Sequence, residues 1–270
     1  MVHAYSYARM LEMPDQEVRM NVCSPRPIVV AKLVDAEPCE HCDVRHRSVC
    51  NAIDYEHLGR LAATAVHRHI DKGQVFIAEG DSANDFFNIT SGTAKLYKML
   101  PDGRQQITGF AGIGHFLGLA VSATYAFTAE AIEPIDLCRF SRPKLRVLLD
   151  DFPALEKRLL ETACNELVAA QEQMLLLGRK TARERVASFL AARLHDTPRY
   201  AGRSGLISLP MTRAEIADYL GLTIETVSRT MSRFKAENRI STPSRDEIIV
   251  LDAAWLDEVA TGQRGDQHLS

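Results

Sequence analysis

The chain has 270 residues, 46% hydrophobic and 25% charged, with a formal net charge of -3. This is ample for packed cores in two domains, or in one domain with extensions, and the charge offers no bulk attraction to nucleic acid. No apolar run approaches the ~18 residues of a membrane span, and Met1 to Arg19 lacks the basic and apolar regions of a secretory leader. A cytoplasmic location follows as the expectation, where thiols stay reduced and clustered cysteines serve metal or redox chemistry more often than disulfides.

Residues 1–35 lack a sustained apolar period and include Pro14, Pro25 and Pro27, which reads as a loosely ordered extension. Its apolar run Ile28 to Val34 is short and carries Lys32, fitting a short strand or a stretch that docks on the folded body. Cys39, Cys42 and Cys50 then crowd a short segment, with Cys138 far downstream. A Cys-x2-Cys pair serves zinc ribbons, redox pairs and ferredoxins alike, and four thiolates suit an iron-sulfur cluster or zinc, the latter with help from His41 or His46. A lone cysteine such as Cys138 is commonly a buried core thiol. Cys23 stands as a substitute ligand or an exposed thiol, and His41, His46, His67 and His69 as surface or core histidines, with haem or another metal still open.

From about Val66 to Phe140, short β-branched and aromatic runs such as Val75-Phe76-Ile77 and Phe86-Phe87-Asn88-Ile89 alternate with turn signals at Gly73, Gly80-Asp81, Ser91-Gly92, Pro101-Asp102-Gly103 and Gly112 to Gly118. Strands at this spacing predict a jelly-roll-like barrel. After Ser141, an N-cap candidate with Pro143 in the first turn, the pattern becomes helical.

Pro153 to Leu177 has no internal Gly or Pro and favours one long helix ended by Gly178. One stripe runs Leu160, Ala163, Leu167, Ala170, Met174, Leu177; a neighbouring one runs Cys164, Val168, Gln171, Leu175. Two apolar stripes call for two partners. A helix packed wholly within one subunit is the plain alternative to one stripe on the barrel and the other on a twin helix. Thr181-x-x-Glu184 is a capping box for a helix from Ala182 to about His195, and Thr197 to Gly205 reads as a loop.

Thr212-x-x-Glu215 caps a helix from Arg213 to Leu220, Gly221 turns the chain, and Thr223 caps a second helix from Ile224 to about Glu237 with Val227, Met231 and Phe234 inward. This is the pattern of a helix-turn-helix, against the alternative of a bare helical hairpin. Glu225, Ser228 and Arg229 project together from the second helix where major-groove readers carry base contacts. Arg grips guanine O6 and N7, Glu accepts from cytosine N4, and Ser serves base or phosphate. Thr226, Arg233 and Lys235 are candidates for backbone contacts. Thr212 to Ile240 carries five basic against four acidic residues, so placement and not bulk charge must do the binding. Ile240 to Leu251, around Pro243-Ser244-Arg245-Asp246, reads as the wing of a winged helix, either touching DNA or closing the small core.

These residues together resemble the FNR-type regulators of the superfamily that includes the cyclic-AMP receptor protein, and within them the FnrN-, FnrL-, AadR- and FixK-like members. The resemblance covers nearly the whole chain after residue 38 through CEHCDVRHRSVC, the glycine-punctuated barrel, MLLLGRKTARERVASFL and LTIETVSRTMSRF. It implies an α+β chain: a cyclic-nucleotide-binding-like jelly-roll barrel, a long dimerisation helix and a C-terminal winged helix-turn-helix. The implied bounds are a flexible extension at 1–35, cysteine cluster and sensor barrel at 36–150, dimerisation helix at 151–180, winged helix-turn-helix at 181–262 and flexible tail at 263–270.

The resemblance further implies that Cys39, Cys42, Cys50 and Cys138 hold an oxygen-labile 4Fe-4S cluster controlling a homodimer, and that Cys164, Val168, Gln171 and Leu175 lie on the dimer seam. Glu225, Ser228 and Arg229 would read TTGAT-like half-sites in double-stranded DNA, making the chain a regulator of anaerobic or microaerobic metabolism. Cyclic-nucleotide binders of the superfamily use a Gly-Glu pair and a downstream Arg; Gly118 to Thr124 has neither Glu nor Arg, so no cyclic nucleotide is expected. Pro101-Asp102-Gly103-Arg104 is a candidate RNA polymerase contact or an ordinary hairpin turn. Rival readings are a regulator of the same fold using zinc or direct thiol oxidation, and an iron-sulfur electron carrier, which leaves Glu225 to Arg229 unexplained. No phosphate loop, Gly-x-Ser-x-Gly elbow or His-Glu-x-x-His appears, so no enzyme is expected.

Overall fold

The structure, a computed structural model, describes residues 37–119, 122–196 and 205–263. The extension with Cys23 and the Ile28 to Val34 run, most of the loop before Gly205 and the tail after residue 263 lie outside the described residues. Helix α1 (Glu37–Glu40) leads into three tight 3-10 turns, Arg45–Arg47, Val49–Ala52 and Tyr55–His57, and then α2 (Leu58–Ala62). Ser48 Oγ accepts from the Cys50 amide at 3.3 Å and so starts the second of these turns.

Eight strands follow: β1 (Ala65–Ile70), β2 (Val75–Ile77), β3 (Asp85–Ser91), β4 (Ala94–Met99), β5 (Gln105–Ala111), β6 (Phe116–Leu117), β7 (Thr128–Ala131) and β8 (Ile135–Ser141). They form two four-stranded antiparallel sheets, β1-β8-β3-β6 and β2-β7-β4-β5, the two-sheet jelly roll the turn spacing predicts. Ile77, Phe87, Ile89, Ala129, Ile135 and Leu137 fill the space between the sheets. Side chains alternate along a strand, so Cys138 and Phe140 of β8 leave on the opposite face. There they join Phe86, Phe116, Leu58, Leu61, Leu145 and Leu155 in a second apolar cluster. Gly118 (φ +94°) runs so close to β3 that a Cβ would stand 2.7 Å from the Asp85 carbonyl oxygen.

Helix α3 (Arg142–Asp151) follows Ser141, whose side chain makes no capping bond; Pro143 in the first turn is the start signal that operates. Pro153 keeps Phe152 out of helical geometry and so separates α3 from α4 (Pro153–Arg179). Gly178 does not end this helix: the chain stays helical through Arg179 and Lys180 is the first extended residue. A glycine inside a helix costs only about 1 kcal/mol, less than breaking a turn that the Lys180 amide still closes onto Leu176.

The packing of α4 also departs from expectation. Leu155, Leu159 and Leu176 are its buried residues, whereas Leu160, Leu167 and Met174 are 64%, 60% and 65% exposed. The stripe expected to lie on the barrel is therefore open for most of its length, as is its neighbour through Cys164, Val168, Gln171 and Leu175. At about 100° per residue, Cys164, Val168, Gln171 and Leu175 lie on the side of α4 opposite Leu155 and Leu159, and Leu160, Leu167 and Met174 continue that open apolar face between the two.

The C-terminal part comprises α5 (Ala182–Asp196), β9 (Leu206–Ser208), α6 (Arg213–Leu220), α7 (Ile224–Ala236), β10 (Ile240–Ser241), β11 (Glu247–Val250) and α8 (Ala253–Ala260). The strands form one sheet in the order β10-β11-β9, so the wing hairpin gains a third strand that the sequence reading does not name. Helix α8 is likewise unforeseen; Asp252 caps it by accepting from the Trp255 amide at 3.0 Å, and its Trp255, Leu256 and Val259 are buried.

Candidate functional site

The four cysteines line one cavity, together with Arg45, Leu61, Ala65, His67, Asn88 and Phe140. Cys39 comes from α1, Cys42 from the stretch just after it, Cys50 from the turn that Ser48 caps, and Cys138 from β8. Cys138 is 7% exposed and pairs across the sheet with His67 of β1 on one side and Asn88 of β3 on the other. Its Sγ lies 3.6 Å from His67 Nδ1. All four are free thiols. They ring the cavity without converging on a point: among the described residues, no three His, Cys, Asp or Glu side chains stand close enough to share one metal ion.

Burial pushes the Cys138 thiol up to about 12, with the neighbouring cysteines adding to the shift. Burial likewise raises Cys50 to about 11, partly offset by the Ser48 hydroxyl, and raises Cys39, which the Arg45 guanidinium counteracts. As free groups these thiols hold their protons at neutral pH and are weak nucleophiles; a bound metal would have to displace those protons. Two polar atoms in the cavity wall, Arg45 Nε and Asn88 Oδ1, are buried with no hydrogen-bond partner among the described residues.

The turn Val49–Ala52, which carries Cys50, packs on α4, where Val49 shares an apolar cluster with Leu155 and Leu159. The cysteine segment thus sits at the base of the helix whose far face is apolar and open.

In the C-terminal domain the capping boxes are formed. Thr212 Oγ1 accepts from the Glu215 amide at 3.2 Å while Glu215 accepts from the Thr212 amide at 2.8 Å. Gly221 takes φ +59°, and Thr223 Oγ1 accepts from the Thr226 amide. With Val227, Met231 and Phe234 buried, Glu225, Ser228 and Arg229 stand exposed on the outer face of α7. The Glu225 carboxyl is held below its ordinary value by backbone amides at the helix start, then by Thr223, with Arg229 contributing. Thr226 is half-buried and tied to the cap, its Oγ1 3.0 Å from Thr223 Oγ1. Arg233 is exposed but donates to Glu237 Oε1 at 3.0 Å, and Lys235 is exposed. The tip of the wing, Pro243 to Asp246, is also exposed.

Barrel and reading domain meet through β5 and α6. Gln105 Nε2 donates to Asp218 Oδ2 at 2.8 Å and Gln106 Nε2 to the Asp218 carbonyl at 2.7 Å, while Phe110 packs on Phe189 and Tyr219. Lys95 of β4 bridges Glu130 at 3.0 Å and Glu215 at 3.3 Å.

At the turn Pro101 to Arg104, Gly103 is left-handed and Asp102 accepts from the Arg104 amide at 3.1 Å and pairs with its guanidinium; local bonds account for this geometry. In the Gly118 to Thr124 segment, Ala120 and Val121 lie outside the described residues, and Ser122 Oγ donates to the Thr124 carbonyl at 2.7 Å. Asn88, Arg45 and Lys95 are absent from the sequence reading as site residues, and His67 enters it only among the surface or core histidines with a metal role left open. Strand register is what brings Asn88 and His67 beside Cys138, and no local motif announces it.

A jelly-roll barrel with a thiol-lined cavity, joined by a long helix to a winged helix-turn-helix, defines a DNA-binding transcription regulator. Residues 67–152 match the cyclic nucleotide-binding domain family and residues 184–259 the Crp-like helix-turn-helix domain family. The chain is 38% identical over 241 residues to the nitrogen fixation regulation protein FixK of Bradyrhizobium diazoefficiens, covering 87% of this chain and 99% of that one. It is 39% identical to the transcriptional activator protein FnrL of Cereibacter sphaeroides, covering 82% and 91%. The structure of FixK2 from Bradyrhizobium japonicum superposes with a TM-score of 0.68 at 32% identity, covering 72% and 96%. The chain belongs to the CRP/FNR family and is a regulator of the FNR type. Among the described residues, no helix is long and apolar enough to cross a membrane.

Proposed function

We propose that this protein is an oxygen-responsive transcriptional activator of anaerobic or microaerobic metabolism, without enzymatic activity. It works in the cytoplasm as a homodimer on TTGAT-like palindromes in double-stranded DNA and engages RNA polymerase, with no cyclic nucleotide. The observation that carries this reading is the meeting of Cys39, Cys42, Cys50 and Cys138 at one cavity beside the base of α4. Four thiols spread around a cavity suit a 4Fe-4S cluster, whose irons are each met by a separate thiolate, better than one zinc ion. Bound there, the cluster supplies an oxygen-labile tie among the four sulfurs.

The remaining work falls to the chain. Cys39, Cys42 and Cys50 hold the segment Glu37–Ala52 to β8, and Val49 presses on Leu155 and Leu159. That contact sets the base of α4 and presents its apolar face, including Cys164, Val168, Gln171 and Leu175, to a twin helix. Pairing brings two α7 helices to half-sites about 34–36 Å apart, one DNA turn. Glu225, Ser228 and Arg229 then read base edges, while Thr226, Arg233 and Lys235 meet the backbone.

Anaerobic purification tests the reading. The expected protein is brown, carries about four irons and four sulfides per chain, bleaches in air and loses DNA affinity as it bleaches. Colourless protein with stoichiometric zinc, or with free thiols, and air-stable DNA binding overturns it.

A further inference from the structure

We propose that Asn88 is a positioning residue for the thiol cavity, donating its side-chain N–H to the sulfur at Cys138 once that sulfur carries negative charge, with Arg45 Nε as a second donor. The inference rests on the cluster reading and adds a hydrogen-bonding layer to it.

Asn88 is 1% exposed, one of the few buried polar or charged residues among the described residues, with Ser48 and Lys95. It sits on β3 with Cys138 as its direct cross-strand partner, and directly opposed residues of antiparallel strands hold their side chains about 5 Å apart on one face. Its other neighbour in register is Phe116 of β6, and Phe140 lines the same cavity. Within this cavity the carboxamide oxygen, Oδ1, an acceptor, is buried with no partner among the described residues.

A buried amide without a partner destabilises the fold that holds it, and an apolar residue of similar size would pack there at no such penalty. Fold stability therefore gives no reason for an amide at position 88. Its two N–H donors match what the cavity is built to contain. Thiolate and sulfide sulfurs accept hydrogen bonds, and such bonds raise the reduction potential of an iron-sulfur site and fix the orientation of its ligands.

Arg45, another residue lining this cavity, has a similar unpartnered atom. Its guanidinium donates through Nη2 to the Ile53 carbonyl and lies over the Tyr55 ring at 5.9 Å, yet Nε is buried and unpartnered. Its charge already favours the thiolate of Cys39. One unpartnered donor, Arg45 Nε, and one buried carboxamide, Asn88, thus share a cavity with four sulfurs.

The test compares wild type with Asn88→Leu and Asn88→Asp, each reconstituted anaerobically with ferrous iron and sulfide. Iron and sulfide content, midpoint potential and the rate of bleaching in air are measured, with thermal unfolding of the metal-free proteins alongside. Expected are a lower potential and several-fold faster bleaching in Asn88→Leu, a larger fall in Asn88→Asp, and a metal-free Asn88→Leu that melts no lower than wild type. Equal potentials and bleaching rates in the three proteins overturn the inference and leave the cluster reading standing. So does a metal-free Asn88→Leu that melts well below wild type, since that marks a structural role. A wild type that takes up no iron and sulfide removes the cluster reading itself, and this inference with it.

Discussion

Lys95 Nζ lies 3.3 Å from Glu215 Oε1, joining a barrel strand to the first helix of the reading motif across 120 residues of sequence. Glu215 spends its other carboxylate oxygen on the Thr212 amide, so one side chain both caps α6 and anchors it to the barrel. Lys95 also meets Glu130 at 3.0 Å. Its ammonium stays charged: burial opposes the charged form, and the two carboxylates more than compensate.

Lys95→Met is expected to destabilise the protein toward the lower end of about 3–5 kcal/mol, because it strands two largely buried carboxylates. Glu215→Gln should cost less, since glutamine still completes a capping box. Urea unfolding of the two variants checks the order.

Arg183 grips Glu237 with two bonds of 3.1 and 2.7 Å, fixing the end of α7 to α5. Arg183, first among its neighbours, holds the Glu237 carboxyl below its ordinary 4.5. A carboxylate depressed in the folded state contributes stability that is present above 4.5 and lost as pH falls through the lower folded value. Acid titration followed by circular dichroism should therefore show a loss below about pH 4.5 that Glu237→Gln flattens, while the pH 7 stability of that variant falls.

Leu167 projects from the middle of the open face of α4. Leu167→Glu should give a monomer by sedimentation under anaerobic conditions and abolish tight binding to a palindrome. The monomer's own unfolding free energy should stay within about 0.5 kcal/mol, as for an exposed substitution. A variant that still dimerises means that this face is not the seam.

Arg229 stands exposed on the outer face of α7. Arg229→Ala should cost about 1–3 kcal/mol of binding and relax preference at one base pair of each half-site. Competition against half-sites altered at each position measures it; an equal loss on every sequence assigns Arg229 to phosphate.

The helix-turn-helix is legible because its signals are local. Thr212, Glu215, Gly221 and Thr223 act within four residues of themselves, so a linear string carries their geometry. The same holds for Thr181 and Glu184, and for the turn residues that space the barrel strands. Where the reading of local signals fails, a tertiary or neighbouring term outweighs them: Gly178 is carried through by the turn around it, and α8 is secured by packing on α5.

The sequence by itself determined the class of fold, the capped pair of crossed helices with Glu225, Ser228 and Arg229 outward, and three cysteines close enough in the chain to act together. Only the tertiary structure decided which face of β8 Cys138 occupies, that Asn88 and Arg45 line the same cavity, and that both stripes of α4 stay open for most of their length while Leu155 and Leu159 take the contact. Register pairs residues tens of positions apart, and the side on which a helix docks depends on where the barrel lies. Neither quantity is written in the spacing of neighbours.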